Sequence, residues 1–190
     1  MNVGLFFGSF NPIHVGHLII GSAMMEATEL QQVWFVVSPQ NPFKKKGGLL
    51  HAQDRYDLVA RAVHDDLRFR ASDVEFHMPQ PSYTVDTLTY LQEKHPAHRF
   101  MLLMGEDNLQ HLPKWKNYER ILECHWVFVY PRPGARPGAL HNHPRVRLVP
   151  APLLDISATF IRRCVAEGRS IRYLVPAEVE ERIVAKKFYR

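Results

Sequence analysis

Two short apolar runs, Asn2–Phe7 (NVGLFF) and Val33–Val37 (VWFVV), stand on either side of a stretch with a helical period. Each ends in turn chemistry, Gly8-Ser9 after the first and Ser38-Pro39 after the second. Apolar runs of this length without polar alternation read as strands buried on both faces, the pattern of parallel sheets. Between them, from about His14 to Glu29, Leu18, Ile19, Ala23 and Met24 recur at three- to four-residue spacing, as on one side of a helix. Two such strands joined through a helix form a right-handed βαβ unit, which excludes all-helical and antiparallel folds for this part of the chain.

The alternation continues. Ala52–Val63 reads as a helix with Leu58, Val59 and Ala62 on one face, and Leu67–Phe76 as strand and turn. Ser82–Glu93 reads as a helix opening after Pro81, and Phe100–Met104 as a strand closed by Gly105-Glu106-Asp107. Trp115–Leu122 has a helical pattern; Trp126–Tyr130 and Arg145–Val149 read as strands. Ser157–Glu167 is a helix closed by Gly168, a residue suited to the position just past a helix end. Pro176–Tyr189 is a last amphipathic helix with proline in its first turn. Pro131–Pro144 differs, with four prolines, two glycines and no period, and is expected to be a mobile surface loop. The expected fold is α/β, a doubly wound parallel sheet in a single domain over 1–190.

Composition narrows the function. Of 190 residues, 46% are hydrophobic and 23% charged, ordinary for a chain with one core. Two cysteines forty residues apart make neither a disulfide framework nor a zinc module. No apolar run approaches the roughly 18 residues that span a bilayer, and no basic residue precedes Lys44 to make a secretory leader. The expectation is a cytoplasmic protein with no membrane partner. The formal net charge is +5, but the only dense cluster is Lys44-Lys45-Lys46. Scattered mild positive charge suits an anionic small ligand at least as well as a nucleic acid.

The most informative segment is Gly8-Ser9-Phe10-Asn11-Pro12-Ile13-His14-Val15-Gly16-His17, which joins the first strand to the first helix. In open parallel sheets, ligands sit beyond the carboxyl ends of the strands. Gly8 is expected to let a phosphate approach the backbone, and N–H groups at the helix start attract anions. His14 and His17 share one helical face, with Gly16 sparing it a side chain, and two imidazoles there can donate to a polyphosphate. Taken alone, an H-x-x-H pair is also what capping or surface histidines look like. No carboxylate or cysteine stands near at metal-ligand spacing, so no protein-held metal is expected. The second segment is Asp155-Ile156-Ser157-Ala158-Thr159-Phe160-Ile161-Arg162. Ser157 can cap its helix, and Arg162 lies over a turn further on, where it can reach back toward a phosphate; the same residues also suit a capped surface helix.

Together the two segments resemble the H-x-G-H nucleotidyltransferase superfamily, with its late I-S-S/T-T-x-I-R motif. Here Ala158 stands where serine is common. Three further segments resemble bacterial nicotinate-nucleotide adenylyltransferases: Ser82-Tyr83-Thr84-Val85-Asp86-Thr87-Leu88, Phe100–Leu109 (FMLLMGEDNL) with Trp115 following, and Pro42-Phe43-Lys44. The likeness covers about 2–185 and fails in the Pro131–Pro144 loop. It implies a Rossmann-like fold and adenylyl transfer from ATP to nicotinate mononucleotide, giving deamido-NAD and pyrophosphate, a step of NAD biosynthesis. It implies His14, His17 and Arg162 as catalytic residues. Gly8, Ser9, Phe10, Gly16, Asp107, Ile156, Ser157 and Thr159 would bind ATP, with the 155–190 region completing that site. Asn11, Lys44, Thr84 and Trp115 would bind the mononucleotide, Thr84 at its ring carboxylate and Trp115 along its pyridine ring. Mg²⁺ would accompany ATP, held mainly by phosphates. Other readings stay open: a nicotinamide-mononucleotide-preferring or dual-specificity enzyme, phosphopantetheine adenylyltransferase, a non-catalytic nucleotide sensor, an RNA-binding relative of the H-I-G-H synthetases. A homo-oligomer is also open.

Overall fold

The computed structural model describes residues 1–39 and 48–190. Six strands form one wholly parallel sheet: β1 (Asn2–Gly8), β2 (Gln32–Val37), β3 (Phe69–Ser72), β4 (Arg99–Gly105), β5 (Val127–Tyr130) and β6 (Val146–Leu148). Their spatial order is β3-β2-β1-β4-β5-β6. The helices are α1 (Val15–Glu26), α2 (Ala52–Val63), α3 (Thr84–Lys94), α4 (Glu106–His111), α5 (Tyr118–Cys124), α6 (Ala158–Ala166) and α7 (Ala177–Lys186). This is the expected Rossmann-like doubly wound α/β fold. The order reverses direction at β1 and β4, and the crevice beyond that point is where such sheets bind ligands.

The strands read as apolar runs because both faces are covered. On β2, Val33, Phe35 and Val37 enter one core with α1, α2, α6 and α7 residues such as Ile20, Leu58, Ile161 and Val179. The alternate residues Trp34 and Val36 enter the other core with Leu88 of α3, Leu109 of α4 and Ile121 of α5. Close approach of α1 to the sheet depends on Gly21, where an added Cβ would lie 3.2 Å from the rings of Phe35 and Phe69. No described helix is long and apolar enough to cross a membrane.

Several boundaries move. His14 does not begin α1 but caps it in extended backbone (φ −146°, ψ 167°). The third helix starts at Thr84, after extended Tyr83, rather than at Ser82. Trp115 follows a 3-10 turn over Leu112–Lys114 and lies outside α5, because left-handed Asn117 (φ 49°) breaks the backbone between them. Helix α4 went unread: Gly105-Glu106-Asp107 looks like a turn, yet Glu106 and Asp107 are its first residues, where acidic side chains favour a helix start.

Gly21→Val should destabilise the fold by about 1–3 kcal/mol through overpacking. Urea denaturation against the wild type measures it, and an unchanged midpoint would show that α1 does not need this close contact.

Candidate active site

A cleft of about 740 Å³ opens beyond the carboxyl ends of β1 and β4. Its walls are the Gly8–Asn11 loop, the starts of α1 and α6, the first turn of α4, and Tyr130–Arg132 after β5.

The loop is organised by Phe10. Its backbone is left-handed (φ 44°). Its ring packs edge-on to Phe6, Phe35 and His17 at centroid distances of 6.1, 5.7 and 5.1 Å. A Cβ on Gly8 would stand 2.7 Å from that ring. The space expected to serve phosphate approach at Gly8 is therefore the space Phe10 needs.

His14 and His17 stack at 3.8 Å between ring centroids. The backbone N–H of His14 donates to His17 Nδ1 at 3.3 Å, which places the proton of a neutral His17 ring on Nε2. A Cβ on Gly16 would come within 3.0 Å of His14 Nδ1, so the expected reason for that glycine holds and the crowded ring is its neighbour's. His14 is 6% exposed, and its Nδ1 is buried without a hydrogen-bond partner among the described residues. Burial, with the Arg132 guanidinium adding to it, pulls its pKa down to about 4. At neutral pH the ring is an uncharged donor. The helix start is less open than its sequence suggests, since the Val15 N–H already donates to Leu174 O at 3.0 Å.

Asn11 joins the two motifs. Its carbonyl accepts from Arg162 Nη1 at 2.8 Å, across 151 residues. Arg162 Nη2 also donates to Thr159 Oγ1 at 3.2 Å. Ser157 caps α6 as expected, its Oγ accepting from the Phe160 N–H at 3.2 Å. The Asn11 side chain is 7% exposed and largely occupied within the protein: Nδ2 donates to Gly48 O, and Oδ1 accepts from the Leu50 N–H.

The cleft thus gathers Gly8, Ser9, Phe10, Asn11, His14, Gly16, His17, Asp107, Ile156, Ser157, Thr159 and Arg162. Thr84 and Trp115 are not in its wall. Among their chain neighbours, Lys116 Nζ pairs with Asp86 Oδ2 at 2.8 Å and lies 4.7 Å over the Tyr83 ring. Trp115 itself packs half-buried against the core on that side. Lys44 lies outside the described residues. Three residues went unread. Arg132 sits in the wall 3.7 Å from Asp107, within a proline-rich stretch with no pattern to flag it. Arg55, on a helix of ordinary period, is fully buried. Tyr189 reaches Asn11 from the far end of the chain.

Residues 5–164 match the cytidylyltransferase-like family. A Cytophaga hutchinsonii protein named "Probable nicotinate-nucleotide adenylyltransferase" is 59% identical over 100% of this chain and 98% of its own length. A Flavobacterium johnsoniae protein of the same name is 50% identical, with both chains fully covered. The solved nicotinic acid mononucleotide adenylyltransferase of Plasmodium falciparum, complexed with NaAD, superposes with a TM-score of 0.82 at 19% identity, covering 99% of this chain and 97% of that one. That last likeness is one of fold.

The depressed His14 pKa fixes the sign of a pH effect. Above pH 6.5 the imidazole is neutral in both folded and unfolded chains. Between pH 6.5 and about 4 the unfolded chain takes up a proton that the folded one refuses, so stability falls as pH drops. The loss is on the order of 3 kcal/mol, levelling off below pH 4. His14→Gln should flatten this part of the profile in denaturation at pH 7, 5.5 and 4.5. Parallel profiles for wild type and variant would contradict the assignment.

Proposed function

The chain belongs to the nicotinate-nucleotide adenylyltransferases of the cytidylyltransferase-like family, and from that premise we propose that it joins ATP to nicotinate mononucleotide, giving deamido-NAD and pyrophosphate. The observation that carries the reading is the Arg162–Asn11 bond, which makes one wall from the two ends of the chain. The choice of acceptor rests on the full-length relatives. No helical membrane span is present among the described residues, and both substrates are dissolved anions, so we assign the enzyme to the cytoplasm.

In the proposed reaction a phosphate oxygen of the mononucleotide attacks the α-phosphorus of ATP. The bond from that phosphorus to the bridging oxygen breaks, and pyrophosphate leaves. The attacking phosphate is largely ionised at neutral pH, so no side chain has to remove a proton. The protein's work is positioning and charge stabilisation. Arg162 presents a fixed positive charge beside the Gly8–Asn11 loop. His17, its ring proton on Nε2, and neutral His14 donate hydrogen bonds to phosphate oxygens. Asp107, in the first turn of α4, meets the nucleoside, and Ser157 and Thr159 close over the phosphates. Thr84 and Trp115 serve the nicotinate ring from outside that wall, and Lys44 the phosphates.

The cleft offers imidazole, guanidinium and backbone donors with, among the described residues, one carboxylate in its wall, Asp107. Such a set suits Mg²⁺ carried on the triphosphate, with phosphate oxygens and water as its main ligands. When bound, the ion would neutralise charge on the phosphates.

Pyrophosphate release from Mg-ATP should be fast with nicotinate mononucleotide and slow with nicotinamide mononucleotide or phosphopantetheine. Equal rates with the first two would replace the reading by dual specificity, and release with phosphopantetheine alone would overturn the acceptor. His17→Ala should lose about 10²-fold or more in turnover, the range for one removed electrostatic donor. A near-normal turnover number would remove His17 from the chemistry.

A further inference from the structure

Helix α7 ends at Lys186, but the chain does not run off into solvent. Lys187 and Tyr189 both take left-handed backbone, at φ 55° and 64°. The Phe188 N–H donates back to Ile183 O at 3.1 Å and the Lys187 N–H to Val184 O at 3.1 Å. Non-glycine residues adopt that conformation rarely, and two in three residues need a contact that holds them. The Phe188 and Tyr189 rings pack against the core, and the Tyr189 hydroxyl adds a hydrogen bond to Asn11 Oδ1 at 3.0 Å, across 178 residues.

The bond completes an account at Asn11. Its Oδ1 has two lone pairs, one taken by the Leu50 N–H at 3.2 Å and the other by Tyr189. Its Nδ2 donates to Gly48 O at 2.9 Å. Which end of the amide meets which partner is thus set by two donors on the oxygen and one acceptor at the nitrogen. The Asn11 carbonyl in turn takes the Arg162 guanidinium. Burial pushes the Tyr189 phenol far up, against the pull of the nearby Arg162 and Arg55 guanidiniums, so the hydroxyl keeps its proton and always donates.

We infer that Tyr189, the last residue but one, is a positioning residue of the cleft, fixing Asn11 and, through the Asn11 carbonyl, Arg162 in the orientation in which they meet the substrates. The inference rests on the proposed function of this cleft. It makes the segment after α7 part of the site, although no motif of the sequence marks it.

Steady-state pyrophosphate release is compared for wild type, Tyr189→Phe, Asn11→Ala and the double variant, with melting temperatures alongside. Tyr189→Phe keeps the ring and loses only the donor. It should raise KM for mononucleotide and ATP about three- to tenfold, the range for one neutral hydrogen bond, with a smaller fall in kcat. On the Asn11→Ala background the same change should add less than about twofold, because the group it positions is gone. Unchanged kinetics for Tyr189→Phe, or the same penalty on both backgrounds, would overturn the inference. If Tyr189→Phe melts far below wild type, kinetics at a temperature where both stay folded decide, since a purely structural role leaves KM for mononucleotide and ATP unchanged there and would overturn the inference. A wild type inactive with every acceptor would overturn the functional reading instead. Calorimetric binding of a non-hydrolysable ATP analogue to wild type and Tyr189→Phe then tests the positioning, weaker binding by the variant supporting it and equal binding overturning it.

Discussion

The Arg55 guanidinium has no exposed surface, and four backbone carbonyls surround it. It donates to Leu50 O, Ser9 O, Ser38 O and Pro39 O, and among the described residues no carboxylate pairs with it. Burying a charge is costly, and only full hydrogen bonding makes it tolerable. Here the fork of donors meets the carbonyls where the chain leaves β1, leaves β2 and enters α2. Desolvation lowers the arginine pKa, yet the group stays charged in any solution that keeps the protein folded. One side chain thereby ties the Gly8–Asn11 loop to its neighbours. A lysine, with a single compact ammonium group, could not span the same carbonyls.

That clamp gives the cleft its electrostatic character. Arg55 and Arg162 bond to carbonyls of the loop, and Arg132 stands in the same wall with its guanidinium 3.7 Å from Asp107. His14, squeezed between burial and Arg132, gives up its charge rather than add another. An entering polyphosphate would reverse that balance, because an anion beside the imidazole favours its charged form. The free site is thus poised for an anion and unsuited to a cation. Rigid aromatic packing of Phe10 against Phe6, Phe35 and His17 holds the loop in shape before any ligand arrives.

Much of this was legible in the residues. Doubly buried strands such as Val33–Val37 cannot be mistaken for alternating ones, and they carried the fold. The Gly8–His17 segment and the Ile156–Arg162 segment were readable because their spacing is local, and the structure brings them together through Asn11. What escaped reading depends on contacts between distant residues. Arg55 sits on a helix whose period looks ordinary, and only the carbonyls of other segments reveal its task. Arg132 hides in a stretch without period, and Tyr189 acts 178 residues from its partner. The glycines also divide: Gly16 spares the His14 ring, as its place between the histidines suggested, but Gly8 makes room for an aromatic ring that no local pattern announces. Thr84 and Trp115, expected at the nicotinate ring rather than at the phosphates, lie outside the wall of this cleft.

The central claim is that this cleft receives a triphosphate against neutral His14. Nitrogen-15 NMR of the His14 imidazole, followed across pH with and without a non-hydrolysable ATP analogue, tests it directly. The account predicts an uncharged ring at pH 7 and a pKa near 4 in the free protein, rising when the analogue binds, so that binding takes up a proton as pH falls. A His14 titration that the analogue leaves unmoved would contradict it.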